Sequence, residues 1–368
     1  PGLRYYEGTR YVDEIETLCT EVMQRIFRAS FADVRPIAGT VSNEAVFSKL
    51  VPQGAFALAH TVASGGHISH ARIGSLGKRT RNIAPWPMQD DGWSIDVAKA
   101  KDLIRQEKPP LVVVGRSLFL FPEPVAELRE VCDETDTRIF FDGAHVLGLI
   151  CGGEFQDPLR EGADVLNGST HKTFFGSQRG VMLTNGEDEK FNTKLDKGVF
   201  PGSSSNHHLF SLPSLLVAAL EMEQFGASYA KATIANAKAL AASLHKRGLD
   251  VAAADLGSTE SHQVAVDVGA HGGGKDVSRR LSDQDIICNM NLLPGEPAKN
   301  ALHPAGIRLG VQEMTRYGMA ADEMDVMADL MHAAITQSRD VRPEVKALRD
   351  RFPDVGYGFQ VADLRPSK

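Results

Sequence analysis

Arg138-Ile-Phe-Phe-Asp-Gly-Ala-His145 is followed further along by Leu166-Asn-Gly-Ser-Thr-His-Lys-Thr-Phe-Phe-Gly176. The first stretch is a β-branched and aromatic run that closes on an acid, Asp142, with a histidine, His145, just beyond it. The second passes from a strand end into a polar loop carrying one lysine, Lys172. Short apolar runs bounded by such turns read as buried strands. Working outward, residues 55–60, 111–115 and 180–184 read the same way. Residues 15–29, 96–106 and 124–133 read as helices between them. This alternation predicts a mainly parallel sheet with helices on both faces. Sheets of that kind place ligands at the carboxyl ends of their strands, where Asp142 and Lys172 both fall.

The pattern changes further on. Residues 209–225 and 230–249 read as two long helices. After them come strand patterns at 262–268, 286–290 and 306–311, a helix at 276–283 and an amphipathic helix at 320–334. A chain of 368 residues is long for one core, and two domains are expected. These are a large α/β domain over residues 1–220 and a smaller α+β domain over 221–368, joined within the long helices. The chain opens on Pro1 rather than Met, so a further N-terminal segment is expected upstream.

Composition narrows the function. The 47 acidic and 40 basic residues leave a net charge of -7, which gives no electrostatic case for nucleic acid or an acidic membrane. No apolar run reaches the length of a membrane span. Cys19, Cys132, Cys151 and Cys288 lack metal spacing and read as reduced thiols of a cytoplasmic protein. Gly272-Gly-Gly-Lys275 lacks the spacing of a phosphate loop and reads as a surface turn. His207-His208 reads as loop rather than ligand, and His67 with His70 lacks a third metal ligand.

The acid and the lysine together suit pyridoxal-phosphate (PLP) chemistry. A lysine amine carries the cofactor as a Schiff base and must be able to lose its proton. A carboxylate keeps the pyridine nitrogen protonated, so the ring can accept electrons. Singly, each residue has a plainer reading, since a strand-end aspartate also caps helices and a lone lysine is usually solvated. The order in which they occur favours the cofactor.

Several spaced motifs then resemble one family. Ser169-Thr-His-Lys-Thr173 resembles the lysine motif of serine hydroxymethyltransferases. Pro1-Gly-Leu-Arg-Tyr-Tyr-Glu-Gly8, Gly65-Gly-His-Ile-Ser-His70, Phe141-Asp-Gly-Ala-His-Val-Leu-Gly-Leu149, Val199-Phe-Pro-Gly202 and Gly306-Ile-Arg-Leu-Gly310 also resemble that family's segments. The resemblance implies a fold type I PLP enzyme, like aspartate aminotransferase in its large domain. It implies Lys172 as the cofactor lysine, Asp142 on the pyridine nitrogen and His67 stacked on the ring. Ser117 and His145 would lie near the phenolic oxygen. Ala38, Gly39 and Thr40 would form the phosphate loop, closed by Ser169 and His171. Arg308 would hold the substrate carboxylate. Tyr5 and Tyr6 would reach the neighbouring subunit's site in a homodimer, with Tyr6 catalytic. Tetrahydrofolate is the implied one-carbon acceptor, with Asn291, Val62 and Ile68 in positions that contact it.

The sequence also departs from the family. Ser203-Ser-Ser-Asn-His-His208 replaces a glycine-rich stretch, Ser177-Gln-Arg179 is one residue longer than the usual Pro-Arg, and Gly115-Arg-Ser-Leu-Phe lacks the usual aromatic-serine. Ser205-Asn-His-His and Gly310-Val-Gln-Glu-Met resemble the threonine transaldolases instead. The expected reaction is retro-aldol/aldol transfer on a small amino acid. Serine, α-methylserine and threonine remain as substrates, the last without folate. Transamination, desulfuration or a non-catalytic PLP-fold protein are the rivals. Desulfuration would call for a cysteine on a mobile loop, and a non-catalytic role for loss of Lys172 or Asp142.

Overall fold

The computed structural model describes residue 2 and residues 4–186 and 188–360. Pro1 and Leu3 of the opening motif lie outside the described residues. Seven strands form the main sheet: β1 (Phe31–Asp33), β2 (Ala57–Ala59), β3 (Ile83–Pro85), β4 (Leu111–Val114), β5 (Arg138–Asp142), β6 (Val165–Ser169) and β7 (Gly180–Thr184). Their order is β1-β7-β6-β5-β4-β2-β3. Strands β3, β2, β4, β5 and β6 run parallel, and β7 runs antiparallel to β6 and β1. The inner strands β4, β6 and β7 are buried at every residue, as expected where helices cover both faces. Asp142 and Ser169 are the last residues of β5 and β6. The fold thus brings both to one edge of the sheet.

A second, antiparallel sheet follows: β8 (Asp250–Val251), β9 (Gln263–Asp267), β10 (Asn289–Asn291) and β11 (Gly306–Gly310), in the order β10-β11-β9-β8. The helix Gly273–Ser282 packs on it, and the helix Ala321–Thr336 packs against Gly273–Ser282. Among the described residues no helix is long and apolar enough to cross a membrane.

The two long helices expected at 209–225 and 230–249 are one helix, Leu212–Lys246. At 35 residues it is about 50 Å long. Gly226 lies inside it, and Gly152 packs against that point: a Cβ on Gly152 would stand 2.4 Å from the Gly226 carbonyl. Gly226 costs the helix about 1 kcal/mol relative to alanine, and the close approach rests on the missing Cβ of Gly152. Through Ala230 the helix packs into the core under the large sheet, and from Ala237 into the core of the second.

Two local expectations also change. The strand expected at 286–290 begins at Asn289. Ile286 instead donates its N–H to the Leu281 carbonyl, and Asp285 takes the left-handed conformation, so these residues close the preceding helix. Gly272-Gly-Gly-Lys275 is not a turn; Gly272 caps a helix that starts at Gly273.

Candidate active site

The Gly39–Leu50 helix starts at the mouth of a cavity of about 200 Å³. Ala38, Gly39, Thr40, His67, Asp142, Ser169, His171 and Lys172 line it, and all were expected from the sequence. Asn43, Ala144 and Gln178 line it too, and were not. Val41 and Ser42 donate their N–H groups to the Ala38 carbonyl. The N–H groups of a helix's first residues have no partner within it and suit an anion. A Cβ at Gly39 would lie 2.3 Å from Ser169 Oγ, so only glycine lets the helix start approach this serine.

Asp142 is 4% exposed. Its Oδ2 accepts from Asn43 Nδ2 at 2.7 Å and pairs with His70 Nε2 at 2.9 Å. Its Oδ1 accepts the Ala144 N–H at 3.0 Å. Burial alone would raise this carboxyl, but the bond and charge of His70, with His67 and the Ala144 N–H, hold it well below the usual range. A carboxylate has about four lone pairs, so Oδ1 retains one for a further donor. Asn43 is held by Ser69 Oγ at 3.1 Å and by Asn167 Nδ2 at 3.2 Å. His67 accepts the Ser69 N–H on Nδ1 at 3.2 Å, which fixes its ring half-buried at the cavity.

The lysine loop is tightly built. Thr170 Oγ1 donates to the Ser177 carbonyl at 2.6 Å, and Gly176 N–H donates to the Thr170 carbonyl at 2.6 Å. Thr173 Oγ1 donates to the His145 carbonyl at 2.9 Å. Lys172 Nζ lies 3.1 Å from His145 Nε2. Burial lowers the pKa of the ammonium, Asp142 opposes this and Arg308 adds to it. Ser117 and His145 do not line the cavity but adjoin it: Ser117 Oγ is 3.3 Å from His145 Nε2.

Arg308, on β11, donates from Nη1 to the Ser117 carbonyl and Oγ, at 2.8 and 3.1 Å, and from Nε to Asn289 Oδ1 at 3.1 Å. No carboxylate pairs with it among the described residues. Asn291 was expected at the site. Its Nδ2 instead donates to the Leu292 carbonyl, while Asn289 makes the contact with Arg308. Tyr5 and Tyr6 are 101% and 73% exposed and do not line the cavity. Val62 and Ile68 are exposed.

The segment with the unusual serines and histidines is anchored from beneath. Arg179 is fully buried and donates to the Val34 and His208 carbonyls, to Ser211 Oγ and to His207 Nδ1. His207 also faces Glu16 at 3.4 Å. Among the described residues no group of three or more histidine, cysteine, aspartate or glutamate side chains is arranged to hold a metal ion.

A mainly parallel seven-stranded sheet, with a second smaller sheet, is the architecture of fold type I PLP-dependent enzymes. The crystal structure of an L-threonine transaldolase from Pseudomonas fluorescens is similar to this chain with a TM-score of 0.89 and 29% identity, covering 99% of this chain and 83% of that one. The family model of serine hydroxymethyltransferase matches residues 1–331. A serine hydroxymethyltransferase from Archaeoglobus fulgidus is 45% identical over 365 residues, covering 98% of this chain and 83% of the relative. One from Methanothermobacter thermautotrophicus is 46% identical over 360 residues, covering 98% and 84%. The chain belongs to the serine hydroxymethyltransferase family, whose members use PLP with tetrahydrofolate as co-substrate.

Proposed function

We propose that this protein is a PLP-dependent hydroxymethyltransferase that moves a one-carbon unit between serine or α-methylserine and tetrahydrofolate. The observation that carries the reading is a half-buried lysine amine and a buried carboxylate on one cavity, beside an arginine that no carboxylate neutralises among the described residues. The cavity's residues fit the cofactor. The start of the Gly39–Leu50 helix, with Thr40, Ser169 and His171, would hold the phosphate. Asp142 would use its remaining Oδ1 lone pair to keep the pyridine nitrogen protonated, and the His67 ring would lie on the cofactor face. Lys172 would carry the cofactor. Bound there, PLP supplies an electron sink for the carbanion left when a Cα–Cβ bond breaks.

The remaining work falls to the chain. Ser117 and Asn289 engage Arg308 Nη1 and Nε, so its Nη2 hydrogens would meet a substrate carboxylate, and those contacts set the direction in which a substrate is held. Burial makes it easier for Lys172 to give up its proton. Ser117 and His145 would face the phenolic oxygen. Tyr5 and Tyr6, exposed here, would complete the site of a second copy, with Tyr6 catalytic, and the protein would work as a homodimer. Asn291, Val62 and Ile68 would meet the folate. A cytoplasmic setting accords with four free cysteines, two of which, Cys19 and Cys132, burial pushes up to about 12.

A second reading, threonine transaldolase or aldolase chemistry without folate, is favoured by the similarity to the Pseudomonas fluorescens enzyme and by Ser205-Asn-His-His. Cleavage of serine, α-methylserine and threonine, each with and without tetrahydrofolate, separates the two. Folate-stimulated cleavage of serine or α-methylserine is expected. Threonine cleavage that ignores folate, with no serine turnover, would support the second reading.

A further inference from the structure

Gln263 opens β9 and is 2% exposed. Its Oε1 accepts the Phe119 backbone N–H at 2.7 Å, and its Nε2 donates to the Ser117 carbonyl at 3.0 Å. An N–H cannot accept and a carbonyl cannot donate, so these two backbone groups fix which end of the amide is which. The other Nε2 hydrogen meets His145 Nδ1, at 3.0 Å. That ring nitrogen must therefore accept. A neutral imidazole carries a single hydrogen, which leaves it on Nε2, 3.1 Å from Lys172 Nζ and 3.3 Å from Ser117 Oγ.

The surroundings of the ring disfavour a charge. Burial pushes the His145 pKa well below its ordinary value, and the cations Lys172 and Arg308 add to this, with His262 and His67. His262 stacks on it, with centroids 6.2 Å apart at 16°, and burial holds His262 at about 3.

We propose that Gln263 is a positioning residue that locks His145 in the neutral Nε2–H form, making His145 a fixed hydrogen donor to the lysine and phenolic-oxygen side of the site. His145 then cannot serve as a base. An ammonium on Lys172 has only donors and would meet the His145 N–H head-on, so the same wiring favours the uncharged amine. A residue of the second sheet thereby sets the protonation state at the edge of the first. The proposal rests on the reading of Lys172 as the cofactor lysine only for its catalytic consequence.

The test is solid-state NMR of the full chain with 15N-labelled histidine, recorded with and without PLP, with His145→Asn assigning the signal. In the native protein, Nδ1 should be bare and Nε2 protonated from about pH 6 to about pH 9, across the range where a free histidine titrates. Gln263→Glu replaces the donor with an acceptor and should move the hydrogen to Nδ1. Gln263→Met removes the donor and should give a mixture of both forms. Turnover in Gln263→Met should fall about ten- to hundredfold, the scale on which partners that orient a histidine act, with KM for the amino acid little changed. Melting curves establish that each variant is folded; if Gln263→Glu is not, Gln263→Met carries the test. A hydrogen on Nδ1 in the native protein, or an unmoved tautomer in a folded variant, overturns the proposal. Failure of the cofactor reading would show separately, as no PLP absorbance, and would leave the tautomer result standing.

Discussion

Asp142→Asn should give a folded protein that still takes up PLP but turns over about a thousandfold more slowly. The carboxylate is surrounded by donors: Asn43 Nδ2, His70 Nε2 and the Ala144 N–H. An amide has one acceptor end. Turned one way, its NH2 meets Asn43 and His70; turned the other, it meets the Ala144 N–H. Neither orientation supplies the negative charge that keeps a pyridine nitrogen protonated. Losing about three pKa units of support corresponds to about 4 kcal/mol, which as a barrier is about a thousandfold in rate. Steady-state kinetics with a parallel PLP absorbance reading checks this. Turnover close to native would count against the role given to Asp142.

Arg308→Lys should raise KM for the amino acid about thirty- to hundredfold and slow turnover, while PLP occupancy stays near native. Arg308 spans two tasks: Nη1 and Nε are held by Ser117 and Asn289, and the two Nη2 hydrogens are left for a carboxylate. A lysine has one nitrogen and cannot brace itself on both neighbours while presenting a flat pair of donors. Hydrogen bonds to charged groups contribute about 1.5–3 kcal/mol each, and about 1.4 kcal/mol is tenfold in affinity. Titration of the cofactor absorbance with amino acid reports both quantities. Unchanged substrate binding would make Arg308 structural, and loss of PLP would place it in the cofactor site or in folding.

The site was legible where its signal is linear. Strand-end positions and spaced motifs led to Asp142, Lys172, His67 and the Ala38–Gly39–Thr40 loop, and these line one cavity. Asn43 was missed because it meets Asp142 across 99 residues of sequence from inside a helix of no unusual pattern. Gln263 was missed for the same reason: it opens a strand that reads only as half-buried, and His145 lies 118 residues away. His70 stood within a quoted motif, but spacing cannot say that its ring turns to Asp142. The fused Leu212–Lys246 helix was hidden by Gly226, which the helix carries in its interior beside Gly152. Asn289 and Asn291 both sit on β10. Which of them turns to Arg308 depends on pairing with β11, where Asn289 stands opposite Arg308.

Borohydride reduction of the PLP-loaded protein, followed by peptide mapping, shows whether Lys172 bears the cofactor. Reduction fixes the lysine–cofactor linkage as a stable pyridoxyl group. That group is expected on the peptide containing Ser169-Thr-His-Lys-Thr173, at Lys172. A pyridoxyl group on any other lysine, or none after reduction of a PLP-loaded sample, would contradict it.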